Sequence, residues 1–108
     1  MTKELDIPMV RGNTLAFGMN FYDLNQDLGY AYFTVRKGEE GDLLFQKSIG
    51  NGITKVSDGI YRVRVAPSDT ENLELGRYFY DLEIGLNGDV FTLIRGYLEL
   101  KADGTRED

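Results

Sequence analysis

Apolar side chains recur at every second position along this chain, in short runs separated by glycines and polar residues. Leu15, Phe17, Met19 and Phe21 share one side of the run LAFGMNF. In AYFTV, Ala31, Phe33 and Val35 face one way and Tyr32 and Thr34 the other. Tyr61, Val63 and Val65 stand against Arg62 and Arg64, and Tyr78, Tyr80, Leu82 and Ile84 against Phe79, Asp81 and Glu83. Successive side chains of a strand point to opposite faces, so this alternation predicts half-buried antiparallel strands. LLFQKSI (43–49) and VFTLIRGYLEL (90–100) complete the set. No window holds apolar residues at helical spacing. Ser68 to Leu73, after Pro67, predicts one helical turn at most, with an N-cap type residue and acidic groups in its first turn. Strand patterns with turn signals roughly every 8 to 12 residues predict an all-β sandwich or barrel of about six or seven strands.

One hairpin can be placed in register. Asn87-Gly88 separates two strand patterns, and both central residues of a type I′ turn need positive φ, which Asn and Gly tolerate best. A two-residue loop pairs Ile84 with Phe91 and Leu82 with Leu93, putting all four on the core face. Carried onward, that register turns Leu98 and Leu100 outward. A bulge near Gly96 would return both to the core.

Tyr78 follows the turn Leu73 to Gly76 and opens the cleanest alternating strand. Immunoglobulin-like sandwiches carry a tyrosine at this place, at the start of their strand F, whose hydroxyl bonds back to the backbone just upstream. Tyr78, Gly76 and Leu73 are therefore expected to form a structural corner, with Leu73 or Leu75 plugging the core beneath the ring. The expected fold is an immunoglobulin-like antiparallel β-sandwich of about seven strands.

The chain also resembles a narrower group on three segments: RGNTLAFGMNFYD (11–23), DGIYRVRVAPSDTENLELGRYFYDLEI (58–84) and FTLIRGYLEL (91–100). Together they are similar to small immunoglobulin-like modules of phage and prophage structural proteins, found in baseplate, tail and head-decoration proteins of phages of Gram-positive bacteria. The match spans residues 10 to 100 and rests on Arg11, Gly12, Asp69, Thr70, Leu73, Gly76, Tyr78 and Asp81. The resemblance implies a non-catalytic structural or protein-interaction module, a prophage virion or baseplate component, and no cofactor.

At 108 residues the chain fits one domain, expected over residues 5–102, with residues 1–4 and 103–108 as mobile ends. Cysteine and histidine are both absent, which removes disulfides, the usual zinc ligands and the usual general base. A net charge of −6 without any Lys/Arg run argues against a nucleic-acid partner. No apolar leader or membrane-length run is present, which predicts a protein made in the cytoplasm with no membrane partner. Asp23 to Gly29 has the start of a calcium loop, but Leu28 holds the glycine position and Thr34 the closing glutamate position, so a polar interstrand loop is expected instead. Asp81 and Glu83 on one strand face could imitate a glycosidase pair, yet neighbours on an open strand more often sit in water.

The outward aromatics are the candidate interaction face. In the expected fold Tyr30, Tyr32 and Phe79 point outward together, with Tyr97 joining them if the bulge is present. Such a cluster asks for a partner. Docking of a protein partner or a second copy, here or on an exposed strand edge, is the first reading; a glycan stacked on the rings is the alternative. Neighbouring Asp, Asn or Gln side chains would favour sugar, and a flat apolar patch would favour protein.

Overall fold

The alternating runs become strands with one dry face and one wet face. In the computed structural model, which describes residues 2–22 and 24–104, Tyr61, Val63 and Val65 are buried while Arg62 and Arg64 between them are exposed. The strands are β1 (Lys3–Glu4), β2 (Ile7–Val10), β3 (Leu15–Asn20), β4 (Tyr30–Arg36), β5 (Leu43–Ile49), β6 (Gly52–Ser57), β7 (Ile60–Val65), β8 (Gly76–Leu86) and β9 (Asp89–Lys101). A single helical turn, α1 (Pro67–Thr70), joins β7 to β8. The chain is all-β.

The strands form one curled sheet in the order β1-β9-β8-β4-β5-β6-β7-β3, with β2 also paired to β9. Its inner faces meet across the core: Phe17 of β3 packs edge-on against Phe33 of β4, whose ring lies 5.4 Å from that of Tyr80 on β8. Ile53, Val35, Leu82 and Leu98 fill the space around these rings, all fully buried.

The expected strand count and strand directions are corrected here. Nine strands are present among the described residues rather than about seven, and the sheet is mixed rather than antiparallel, because β1 and β2 run parallel to β9 and β5 runs parallel to β6. Parallel neighbours need no hairpin turn, so no local signal announces them. Lys3 and Glu4, expected in a mobile end, pair with Ile94 and Arg95, and the Thr2 hydroxyl donates to the carbonyl of Thr92 at 2.7 Å.

The hairpin turn is as the Asn-Gly pair predicts, with φ of 55° at Asn87 and 82° at Gly88. Ile84 pairs with Phe91, but Leu82 pairs with Ile94, so the bulge falls at Leu93 and not near Gly96. It restores Leu98 and Leu100 to the core, while Phe91 is left exposed. Gly96 has a different reason to be glycine: a Cβ there would overlap the carbonyl of Leu5. The linker between β1 and β2 lies against β9 at this point. Leu5 N–H donates to the Arg95 carbonyl at 2.9 Å, Tyr97 N–H to Asp6 Oδ1 at 3.0 Å, and the Tyr80 hydroxyl to the Leu5 carbonyl at 2.6 Å.

Candidate functional site

Two clusters gather the residues singled out in the sequence. The first is the crossover around α1. Pro67 opens the turn with its ring-fixed φ, and the Asp69 carboxylate accepts the Ala66 N–H at 2.7 Å. The same carboxylate pairs with Lys47 Nζ of β5 at 2.7 Å, with both side chains largely shielded. Thr70 is fully buried, and its Oγ1 accepts the N–H of Gly12 at 2.9 Å. Gly12 turns with φ of 82° between β2 and β3, and Arg11 Nη1 beside it donates to the carbonyl of Leu73 at 3.2 Å. Leu73 packs on the core while Leu75 is exposed, and Gly76 leads into β8 with φ of 142°. The Tyr78 hydroxyl then donates to the Glu74 carbonyl at 2.6 Å, the backward bond a tyrosine corner makes. Arg11, Gly12, Asp69, Thr70, Leu73, Gly76 and Tyr78, seven of the eight residues that carry the sequence resemblance, thus lock one end of the sheet.

Asp81 is the exception, and it belongs to the second cluster, on the outer face of β5, β4, β8 and β9. Register fixes the neighbours. Tyr32 lies opposite Glu83 and Ser48, Thr34 opposite Asp81 and Gln46, and Arg36 opposite Phe79. Arg95 lies opposite Asp81, and Tyr97 opposite Phe79. Tyr30 lies over Gly85, where any Cβ would meet its ring, and donates its hydroxyl to Glu83 at 2.9 Å. The Tyr30 and Tyr32 rings are 5.1 Å apart.

The four aromatics do not form one patch. Phe79, expected outward and accessible, is only 8% exposed, because Tyr97 packs edge-on against it and the Arg95 guanidinium covers its ring. Tyr97 is itself capped by Arg77 at 4.3 Å. Tyr30 with Tyr32 forms one pair and Phe79 with Tyr97 another, and polar side chains separate them. Between them lies an open hollow of about 160 Å³ lined by Tyr32, Thr34, Arg36, Gln46, Asp81 and Glu83.

Within the hollow, Gln46 Nε2 donates to Thr34 Oγ1 at 3.0 Å. No hydrogen bond among the described residues engages the Asp81 carboxylate. Burial raises its pKa and neighbouring Glu83 raises it further, while Arg36 and Arg95 pull the other way. Tyr30 is likewise raised, by burial first and then by its bond to Glu83. The hollow therefore offers the partly exposed Tyr32 ring, two carboxylates, a carboxamide, a hydroxyl and a guanidinium side by side. Such a set can hold a polyhydroxylated ring by stacking and paired hydrogen bonds. Asp81 and Glu83 sit two residues apart on one strand of an open face, without a cleft that would set them on opposite sides of a scissile bond.

Gln46, Thr34 and Arg36 are the site residues that the sequence pattern did not single out. Their only signal is that they alternate outward on β4 and β5. Asp23 of the calcium-like stretch lies outside the described residues. Leu28, in that stretch, is a core residue whose N–H donates to the Tyr61 hydroxyl at 3.1 Å. Among the described residues no helix is long and apolar enough to cross a membrane, which says nothing of β-barrels. No protein-family model matches the chain, and no curated protein matches its sequence.

Proposed function

We propose that the chain is a non-catalytic binding module with an immunoglobulin-like sandwich fold, and that the outer face of β5, β4, β8 and β9 takes a glycan. The fold reading is supported by strand order. β9-β8-β4-β5 follows the order G-F-C-C′, β6-β7-β3 follows D-E-B, and the Tyr78 corner stands at the start of the strand that would be F. In this reading the short parallel bridge between β5 and β6 is what links the two layers into one sheet.

The observation that carries the glycan reading is the setting of Tyr32. It is 37% exposed and is ringed by Gln46, Thr34, Asp81 and Glu83, a polar surround and not a flat apolar patch. A protein-docking core would be depleted of such charges. The prophage virion or baseplate setting rests on the sequence resemblance alone.

The test is a glycan array followed by calorimetric titration of the best ligand against Tyr32→Ala and Asp81→Asn. Binding that both substitutions weaken at least tenfold is the expected result. An array without signal, or binding indifferent to Tyr32→Ala, overturns the reading. Light scattering coupled to size exclusion at two concentrations supplies the rival outcome. A defined oligomer that breaks with Tyr32→Asp would make this face a protein contact.

A further inference from the structure

A separate surface, independent of the glycan face, lies at the end of the sheet. Strand β3 is last in the strand order, and among the described residues it pairs only with β7. The bond from Phe21 N–H to the Gly59 carbonyl at 2.7 Å fixes the phase of that ladder. Bonded pairs alternate in an antiparallel ladder, so Leu15, Phe17 and Met19 spend their backbone groups on β7. The N–H and C=O groups of Ala16, Gly18 and Asn20 therefore point away from the sheet.

Edges of this kind are ordinarily blunted by a lysine, a proline or a bulge. The sequence of β3, LAFGMN, contains no charge and no proline, and its register with β7 runs unbroken from Leu15 to Asn20. Guarding residues are missing where they would be most useful.

The charges beside this edge have one sign. Across the ladder, Ala16 faces Arg64 and Gly18 faces Arg62. Both arginines are exposed, and among the described residues no hydrogen bond or ion pair engages either. By contrast Lys47, Lys55, Arg77 and Arg95 are all in ion pairs, in a chain of net charge −6. Because Ala16 and Gly18 have almost no side chain, nothing on β3 screens the two guanidinium groups from the open edge. The surface is instead hollowed there, with Val56 and Ile60 as its apolar part.

We propose that the β3 edge accepts an extended acidic segment of a partner protein as an added strand, with alternate Asp or Glu side chains reaching Arg62 and Arg64 across Ala16 and Gly18. The partner's backbone would bond to Ala16, Gly18 and Asn20. Its carboxylates would repeat every second residue, roughly 7 Å apart, which is the spacing of Arg62 and Arg64 along β7. Charge sets the choice of occupant. A second copy docking edge to edge would offer its own uncharged β3 and a further pair of arginines.

The experiment is an NMR titration of the whole chain with an eight-residue peptide alternating Glu and Val. A Lys-Val peptide and a backbone N-methylated Glu-Val peptide serve as controls. Expected are shifts and slowed hydrogen exchange at Ala16, Gly18 and Asn20 with the Glu-Val peptide alone, weakened by salt. Arg62→Glu combined with Arg64→Glu, both on the exposed face, should weaken that binding roughly tenfold or more and admit the Lys-Val peptide. Shifts without exchange protection, or equal binding of the N-methylated peptide, would reduce the surface to ordinary ion pairing and overturn the proposal. So would concentration-dependent protection of the same amides without peptide, since that outcome makes the occupant a second copy.

Discussion

Thr70 offers the sharpest test of how the α1 crossover is tied to the turn between β2 and β3. It is 0% exposed, and its hydroxyl is the acceptor for the buried N–H of Gly12, fifty-eight residues away in sequence. Valine has nearly the same shape and removes only the oxygen. The Gly12 N–H is then stranded, at a cost of about 1–3 kcal/mol for a buried unpaired donor. A methyl in place of the hydroxyl returns up to roughly 0.8 kcal/mol of apolar burial. Thr70→Val should therefore destabilise by about 1–2 kcal/mol, a sizeable part of the roughly 5–15 kcal/mol available to a domain. Urea titration should show a lower midpoint with an unchanged slope. Hydrogen exchange should show the Gly12 amide accelerated beyond the change at Val63, which reports global opening. Thr70→Ser is the companion: it loses a buried methyl, costing about 1 kcal/mol, but should keep Gly12 protected. If Thr70→Val leaves both the midpoint and Gly12 exchange at wild-type values, the bond does not hold the crossover and the reasoning fails.

Four further outcomes are expected. Tyr78→Phe should cost about 1 kcal/mol by denaturation, through the lost bond to the Glu74 carbonyl, while Tyr97→Phe at an exposed position should leave the midpoint alone. Asp81→Asn should stabilise the fold at neutral pH: the folded pKa is raised, so wild-type stability falls as pH climbs through the unfolded value toward the folded one, and melting curves of the two proteins should converge in acid. Gly96→Ala should push the Leu5 carbonyl off β9, costing roughly 1–3 kcal/mol and deprotecting the Leu5 amide in hydrogen exchange. The Tyr80 hydroxyl, raised to about 12 chiefly by burial, should still be protonated well above the ordinary tyrosine value by tyrosinate absorbance, with stability lost between its unfolded value of about 10 and that point.

The sequence discloses those features that local chemistry sets. Period-two alternation marks β3, β4, β7 and β8, where one face meets the core and the other meets water, and Asn87-Gly88 marks its turn because few other pairs tolerate positive φ twice. Tyr78 could be singled out because a tyrosine just past a glycine turn has a small set of uses. Strands β1 and β2 were silent for a physical reason. They join β9 in parallel, from the far end of the chain, and have no hairpin partner in sequence. β6 buries only Ile53, too little to make a pattern. The bulge at Leu93 was misplaced to Gly96 because a strand glycine can serve a bulge or a close approach, and here it serves the second. For the candidate site, Tyr30 and Tyr32 could be assigned to an outward face from alternation, and Tyr97 only by adding a bulge to its strand. The burial of Phe79 beneath Arg95 and Tyr97 could not, since it depends on which residues three strands bring side by side. The polar hollow has the same origin: Gln46, Thr34 and Asp81 lie on three strands and become neighbours only through register.

The parallel pairing of β2 with β9 has a mechanical consequence. Ile7 to Val10 lie beside Leu98 to Lys101, both strands running the same way, with β1 extending the contact to Ile94. Tension applied to the chain on either side of the sheet pulls β2 toward its start and β9 toward its end. The strands are then loaded along their length, and the bonds between them share the force instead of opening one after another as in a peeled hairpin. Resistance to stretching is governed by the unfolding rate under load and not by equilibrium stability. A fold closed in this way is suited to a place where the chain itself carries tension.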